Sequence, residues 1–214
     1  MRQRTRTLRH RLRDTATEAM LDSAERVMIR KGYERATMQE IAGAAGCATG
    51  TFYLYFKSKE VLFEAIAARR AKVMFDEIRE AMDSTQDPVE RLRRTYAQVM
   101  RHARQQRAVF RMVFTAKPMR QRLMHQWMRG MTRREHDECQ RRELEAVREG
   151  QKAGRIRSDL PAERLQEFLD AVSFSVVERL VFSGKRESVE EQIRVLWGLM
   201  SGGLGVGRSG DGQD

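Results

Sequence analysis

Proline occurs only three times in 214 residues, at Pro88, Pro118 and Pro161. Proline removes a backbone donor and clashes with the preceding helical turn, so a chain this poor in it can run in long helices broken at few places. Between the prolines, apolar residues recur at intervals of three and four. Hydrophobic residues make up 41% of the chain, which at this length supports a real core without disulfide or metal staples. The expected class is all-α, with about nine helices.

Local signals divide the helices. Thr15 and Glu18 have capping-box spacing, so the first helix is expected from Asp14 or Thr15, with Met20, Leu21, Ala24, Val27 and Met28 on one face and Gly32 at its end. Thr37-Met38-Gln39-Glu40 repeats that spacing ahead of Ile41, Ala42 and Ala45, and Gly46 stops this short helix. Cys47 to Tyr55 holds about two turns, and Ser58 can cap a helix carrying Leu62, Ile66, Val73 and Ile78. Asp87-Pro88 opens a fifth helix through Leu92, Tyr96, Val99, Met100 and Ala103. Val109, Phe110, Val113 and Phe114 mark a short apolar helix, and after Pro118 a long basic helix is expected from about Met119 to Ala153. Two apolar stripes follow, over 165–181 and 189–200. They invite pairing with a second subunit through residues 161–201; packing within one monomer is the other reading.

The net charge is +11 and the isoelectric point near 10.3, which favours a polyanionic partner, nucleic acid ahead of an anionic membrane. Basic and acidic residues number twelve against seven in 1–60, seven against seven in 61–100, sixteen against seven in 101–160 and six against nine in 161–214. The charge therefore sits in two blocks. Residues 1–13 hold six arginines and no acid and read as a flexible basic arm, lying along phosphates or in a minor groove, with solvated disorder as the alternative. Residues 203–214 read as a flexible glycine-rich tail.

Cys47 and Cys139 have neither disulfide nor zinc-finger spacing, the start lacks an apolar secretion signal, and no run approaches the roughly 20 apolar residues of a membrane span. A cytoplasmic protein with no membrane association is expected. No Walker loop, GxSxG elbow, HExxH or dinucleotide glycine pattern occurs, so neither catalysis nor a cofactor is expected. His136 and Cys139 lie three apart on the long helix, but two ligands without a third do not make a metal site, and both are expected at the surface.

Two short helices around a glycine-containing turn describe a helix-turn-helix, whose second helix offers its first residues to the DNA major groove. Residues 37–55 fit. Phe52 and Phe56 are the expected core anchors of a helix too short to be stable alone. Thr49, Thr51, Tyr53, Leu54 and Tyr55 are expected on the DNA surface, Gly50 where the backbone approaches sugar and phosphate, and Lys59 within reach of a phosphate. Each tyrosine ring can also be core with its hydroxyl outward.

The stretch GYERATMQEIAGAAGCATGTFYLYFKSKEVLF, residues 32–63, resembles the TetR family of bacterial transcriptional regulators, with the glycine-tyrosine pair, threonine cap, alanine-glycine turn, GT-aromatic-Y segment and YFKSKE ending in the family's order. The resemblance implies a three-helix DNA-binding head over 14–60, a helical ligand-binding and dimerisation domain over 61–202, and a homodimer on a roughly palindromic double-stranded operator. It also implies phosphate contact at Thr37, groove-facing positions at Thr49, Gly50, Thr51 and Tyr53, backbone contact at Tyr55 and phosphate contact at Lys59. The chain departs from the pattern at Cys47, Ala48 and Leu54. Ala48 lacks the side-chain oxygen that commonly caps the recognition helix, and Leu54 exchanges a polar contact for an apolar one.

Methionines and aromatics concentrate over 96–131, where Tyr96, Met100, Phe110, Phe114, Met124, Trp127 and Met128 are candidates for a small-molecule inducer pocket, ordinary helical core being the other explanation. The arginines nearby hint at an anionic or amphipathic ligand. Equally they fit a solvated face with pairs such as Arg134 with Glu138 and Glu138 with Arg142. The expected activity is ligand-responsive repression. The competing class is a nucleic-acid architectural or anionic membrane-surface protein without sequence preference.

Overall fold

Caps and breakers set the helix boundaries in the computed structural model, which describes residues 2–116, 124–183 and 188–204, with side chains over 11–116, 133–183 and 188–198. Among the described residues every regular element is an α-helix: α1 (Arg2–Lys31), α2 (Met38–Ala44), α3 (Thr49–Tyr55), α4 (Lys59–Asp83), α5 (Pro88–Gln105), α6 (Arg107–Thr115), α7 (Met124–Lys152), α8 (Ala162–Phe182) and α9 (Val189–Leu204). Gly32 leaves α1 at φ +83°, Gly154 follows α7 at φ +66°, and Asp87 caps α5 by accepting from the Glu90 amide at 2.9 Å. The expected start of the long basic helix near Met119 and most of the glycine-rich end lie outside the described residues.

Helix α1 departs from expectation. It begins at Arg2, well ahead of Asp14. The Thr15 hydroxyl donates to the Arg11 carbonyl at 3.0 Å, one turn back, so Thr15 is mid-helix and caps nothing. Arginine is among the better helix formers, which offsets the modest like-charge repulsion between residues four apart, such as Arg9 and Arg13. Alternating arginines are therefore compatible with helical winding.

The described residues of 1–71 and 108–131 form one compact unit, and those of 72–107 and 132–204 another. In the first, α1 packs on α2 and α2 on α3. Ala24 and Met28 of α1, Ile41 of α2, Phe52 of α3 and Leu62 and Ile66 of α4 share one core with no measurable exposure. Val109 and Met112 of α6 join the same core, although they lie far along the chain. Glu25, only 7% exposed in its side chain, ties α1 to α4: Arg69 reaches it at 2.9 Å and Arg70 at 2.5 Å, and Arg69 also holds Glu18 and Asp22. In the second unit, α5 packs on α8 and α9, and α8 on α9. Leu92, Met100, Val147, Leu180 and Leu196 are buried there. No described helix is long and apolar enough to cross a membrane.

Candidate nucleic-acid interface

The interface is built from two helices of seven residues each. Helices this short are unstable alone, so each needs a cap or an anchor. Thr37 supplies the cap of α2: its hydroxyl accepts from the Glu40 amide at 3.2 Å, and the Glu40 carboxylate accepts from the Thr37 amide at 3.2 Å. Lys31 pairs with the same carboxylate, and hydrogen bonds from Lys31 and Thr37 hold its pKa below the usual range. At the other end, the Cys47 amide donates to the Ala42 carbonyl at 3.1 Å and Gly46 turns the chain at φ +70°, where a side chain would be strained.

Helix α3 has an anchor instead of a cap. Ala48, at its N-cap, makes no side-chain hydrogen bond. Phe52 is fully buried and Phe56 nearly so, their ring centroids 5.5 Å apart. Burying one such ring contributes roughly 2 to 3 kcal/mol, which far exceeds the fraction of a kcal/mol an alanine gives up at a cap in a weak host. With Phe52 inward, Gly50, Thr51, Tyr53 and Leu54 are left exposed, Leu54 at 69%.

Gly50 is unlike Gly46. Its φ is ordinary and a Cβ built on it would meet nothing within 4 Å. Glycine in a helix costs about 1 kcal/mol relative to alanine, and nothing in the fold offsets that cost. Packing within the fold does not require so small a residue there.

Beside these residues lies an open groove of about 790 Å³, bordered by Thr37, Gln39, Thr49, Tyr53, Lys57 and Lys59 among others. Thr37, Thr49, Tyr53 and Lys59, expected from sequence, are thus brought together, with Gly50, Thr51 and Leu54 on the same short helix. Tyr55 is half-buried, and the Arg13 guanidinium sits 5.7 Å from its ring centroid. Gln39 and Lys57 were not picked out by sequence, and Arg13 only as part of the basic arm. Lys57 carried a signal in the KSK triplet, whereas Arg13 is separated from Tyr55 by most of the head.

Lys59 is more committed than its position suggests. Its ammonium donates to the carbonyls of Tyr33, Glu34 and Ala36 at 3.0, 3.1 and 3.2 Å, and lies 4.6 Å from the Tyr33 ring centroid. Three protons meet three carbonyls, which closes the α1–α2 loop onto the start of α4. The Tyr33 hydroxyl donates to Glu60 at 3.1 Å, and burial with the Glu60 charge raises its pKa. The glycine-tyrosine pair is thereby explained: Gly32 turns the chain out of α1 and Tyr33 plugs the loop.

Residues 20–66 match the family described as bacterial regulatory proteins, tetR family. The match to the TetR family covers the head alone. An HTH-type transcriptional regulator of Mycobacterium tuberculosis is 32% identical over 105 residues, 49% of this chain and 52% of its own length. The chain thus spans about half the length of the curated relatives it matches at this level. The HTH-type transcriptional repressor DhaR of a Mycobacterium species is 23% identical over 198 residues, 86% of this chain and 92% of its own. Among solved structures, the regulator FadR of Bacillus subtilis in complex with stearoyl-CoA superposes with a TM-score of 0.72 at 18% identity, over 87% of this chain and 98% of its own. The fatty acid degradation regulator FadR of Bacillus halodurans gives 0.67 at 21%, over 90% and 96%. These likenesses extend the TetR-type fold beyond the head into the remaining helices.

The predicted pocket residues of those helices fall in both units. Tyr96 and Met100 are buried in the second unit, and the Tyr96 hydroxyl donates to Asp170 at 3.2 Å. Phe110 and Phe114 are half-buried on α6, ring centroids 6.0 Å apart, on the helix whose Val109 and Met112 enter the core of the head. Met124, Trp127 and Met128 fall on α7, where their side chains lie outside the described residues. The predicted helix pairs are also rearranged: Glu138 binds Arg141 at 2.7 Å, and Arg142 crosses to Asp83. His136 and Cys139 are buried, not exposed, His136 edge-on to Phe75 at 6.1 Å, and burial pushes the Cys139 thiol up to about 12.

Proposed function

We propose that this protein is a ligand-responsive transcriptional regulator, acting as a repressor, that binds a roughly palindromic operator as a homodimer and releases it when a small molecule enters the second unit. The observation that carries the reading is Gly50, a helix-weakening residue whose smallness the fold does not use, set between half-buried Thr49 and exposed Thr51, Tyr53 and Leu54 on a helix anchored from behind. In this reading α3 enters the major groove, Thr37 and Tyr55 contact the backbone, and Lys59 acts on phosphate both directly and by holding the loop before Thr37. Phe168, Val172 and Phe182 on α8 and Val195 on α9 are exposed apolar side chains that support pairing through 161–201. Two heads must then match half-sites about 34 to 36 Å apart.

Release follows if the ligand moves α4 or α6, each of which continues from one unit into the other. DhaR supports the sign of regulation by its name as a repressor, and the FadR complex supports a small-molecule effector. The test is a competition assay in which a labelled duplex from the DNA flanking the protein's own gene meets unlabelled random duplex. A regulator prefers its operator by about a thousandfold or more; equal competition favours the architectural alternative.

A further inference from the structure

The charge buried in the second unit is opposite in sign to the charge of the chain. Its surface arginines are engaged by acids: Arg141 by Glu138 and Glu145, Arg148 by Glu163, and Arg155 by Asp87. Inside, beside the buried histidines His102 and His136, lies an acidic pair. Glu143 of α7 is 6% exposed, and its Oε2 has no hydrogen-bond partner among the described residues. Asp170 of α8 acts on it electrostatically; one Asp170 oxygen accepts from the Tyr96 hydroxyl at 3.2 Å and the other from the Gln140 amide at 3.1 Å. Gln166 of α8 bridges to the Gln140 carbonyl and side chain at 2.8 Å. Tyr96 of α5 and Cys139 of α7 also feel the Glu143 charge.

Among the described residues the groups acting on the Glu143 carboxyl are Asp170 and Gln166, and neither is a cation. Burial and the Asp170 charge push its pKa well above the carboxylate range, partly offset by a hydrogen bond from Gln166. Burial thus favours the neutral carboxyl. A buried carboxyl with an open lone-pair position and a second acid beside it is complementary to a charged donor from outside. An anionic effector meets the wrong charge there.

We propose that Glu143 and Asp170, framed by Tyr96, Gln140 and Gln166, form a subsite for the protonated amine of an amphipathic effector. The inference rests on the second unit being the effector domain, and Tyr96 is common to this subsite and the predicted pocket. On binding, the ammonium arrives charged, the Glu143 carboxyl releases its proton to solvent, and the carboxylate formed accepts from the ammonium. One proton leaves for each amine bound.

Titration calorimetry on the full chain at neutral pH tests this with 4-phenylbutylamine, 4-phenylbutanol and 4-phenylbutyrate, each in phosphate and in Tris. The amine should bind at least about tenfold more tightly than the alcohol, the carboxylate should not bind, and the heats in the two buffers should differ by release of about one proton per amine. The neutral isostere Glu143→Gln should reduce the amine to the level of the alcohol and abolish the proton release. An amine that binds no better than the alcohol, or a preference that survives Glu143→Gln, overturns the subsite. The wild-type buffer comparison stands even if the variant folds poorly. Operator release is followed separately: amine binding without release supports the subsite and defeats ligand-responsive regulation, whereas release by a neutral or anionic compound, unaffected by Glu143→Gln, does the reverse.

Discussion

In the head, the residues that the fold does not need lie outside; in the second unit they lie inside. Gly50 weakens α3 and packs against nothing, and Leu54 leaves a large apolar side chain in water, while the head's own core is complete behind them. In the second unit several surface arginines are paired with acids, and among the described residues the buried Glu143 carboxyl keeps an oxygen without a hydrogen-bond partner. A macromolecule with a broad polar surface is met on an exposed face, whereas a small molecule must be surrounded to be bound. The difference matches the proposed division of two recognition tasks between the units.

The comparison is broken most severely through Phe52. Its ring has no exposure, and Phe52→Ala should cost about 3 to 5 kcal/mol. Hydrogen exchange should show the amides of α2 and α3 losing protection while those of α8 keep theirs. Simultaneous loss in both would mean that the units do not fold independently.

Lys59→Ala comes next, because removing the ammonium leaves the Tyr33, Glu34 and Ala36 carbonyls without their donor. A loss of about 1 to 3 kcal/mol is expected in chemical denaturation. Duplex affinity should fall alike for all sequences, with the salt slope reduced by about one. Unchanged stability would make Lys59 a phosphate ligand alone.

Gly50→Ala sharpens the contrast, since fold and binding should move in opposite directions: a melting temperature raised by the equivalent of up to about 1 kcal/mol, and a weaker operator complex by fluorescence anisotropy. If the variant binds as well as the parent, the absence of a side chain there has no role in recognition.

The smallest effect concerns acid. Hydrogen bonds from Arg93 and Arg94 bring Glu90, at the start of α5, down to about 2, against a burial penalty that works the other way. A lowered folded-state pKa means that the contribution is complete above the ordinary carboxylate pKa and is lost as pH falls through the folded value. Glu90 and both arginines are partly exposed to solvent, so the contribution is under about 1 kcal/mol. Melting of the parent and of Glu90→Gln, compared between pH 6 and pH 2, should converge at the acid end. A gap that stays constant with pH would assign Glu90 a packing role only.

Sequence alone determined what local chemistry controls. The Thr37–Glu40 box, the Gly32 and Gly46 exits, the Ser58 and Asp87 caps and the inward Phe52 and Phe56 all depend on residues within a few positions, and the helix-turn-helix was legible from them. Local spacing was misleading at Thr15, because a capping-box spacing is also met by a threonine in mid-helix bonded one turn back. Only tertiary structure decided which partner an apolar or charged side chain finds across tens of residues. Periodicity marked α6 as amphipathic, but that its Val109 and Met112 enter the core of the head depends on packing. The three carbonyls on Lys59 and the two arginines on Glu25 depend on where the chain returns in space, as does the burial of Glu143 within a helix that reads as basic. A helix repeats every 3.6 residues whatever lies beside it, whereas the sign and solvation of a charge are set by its neighbours in three dimensions.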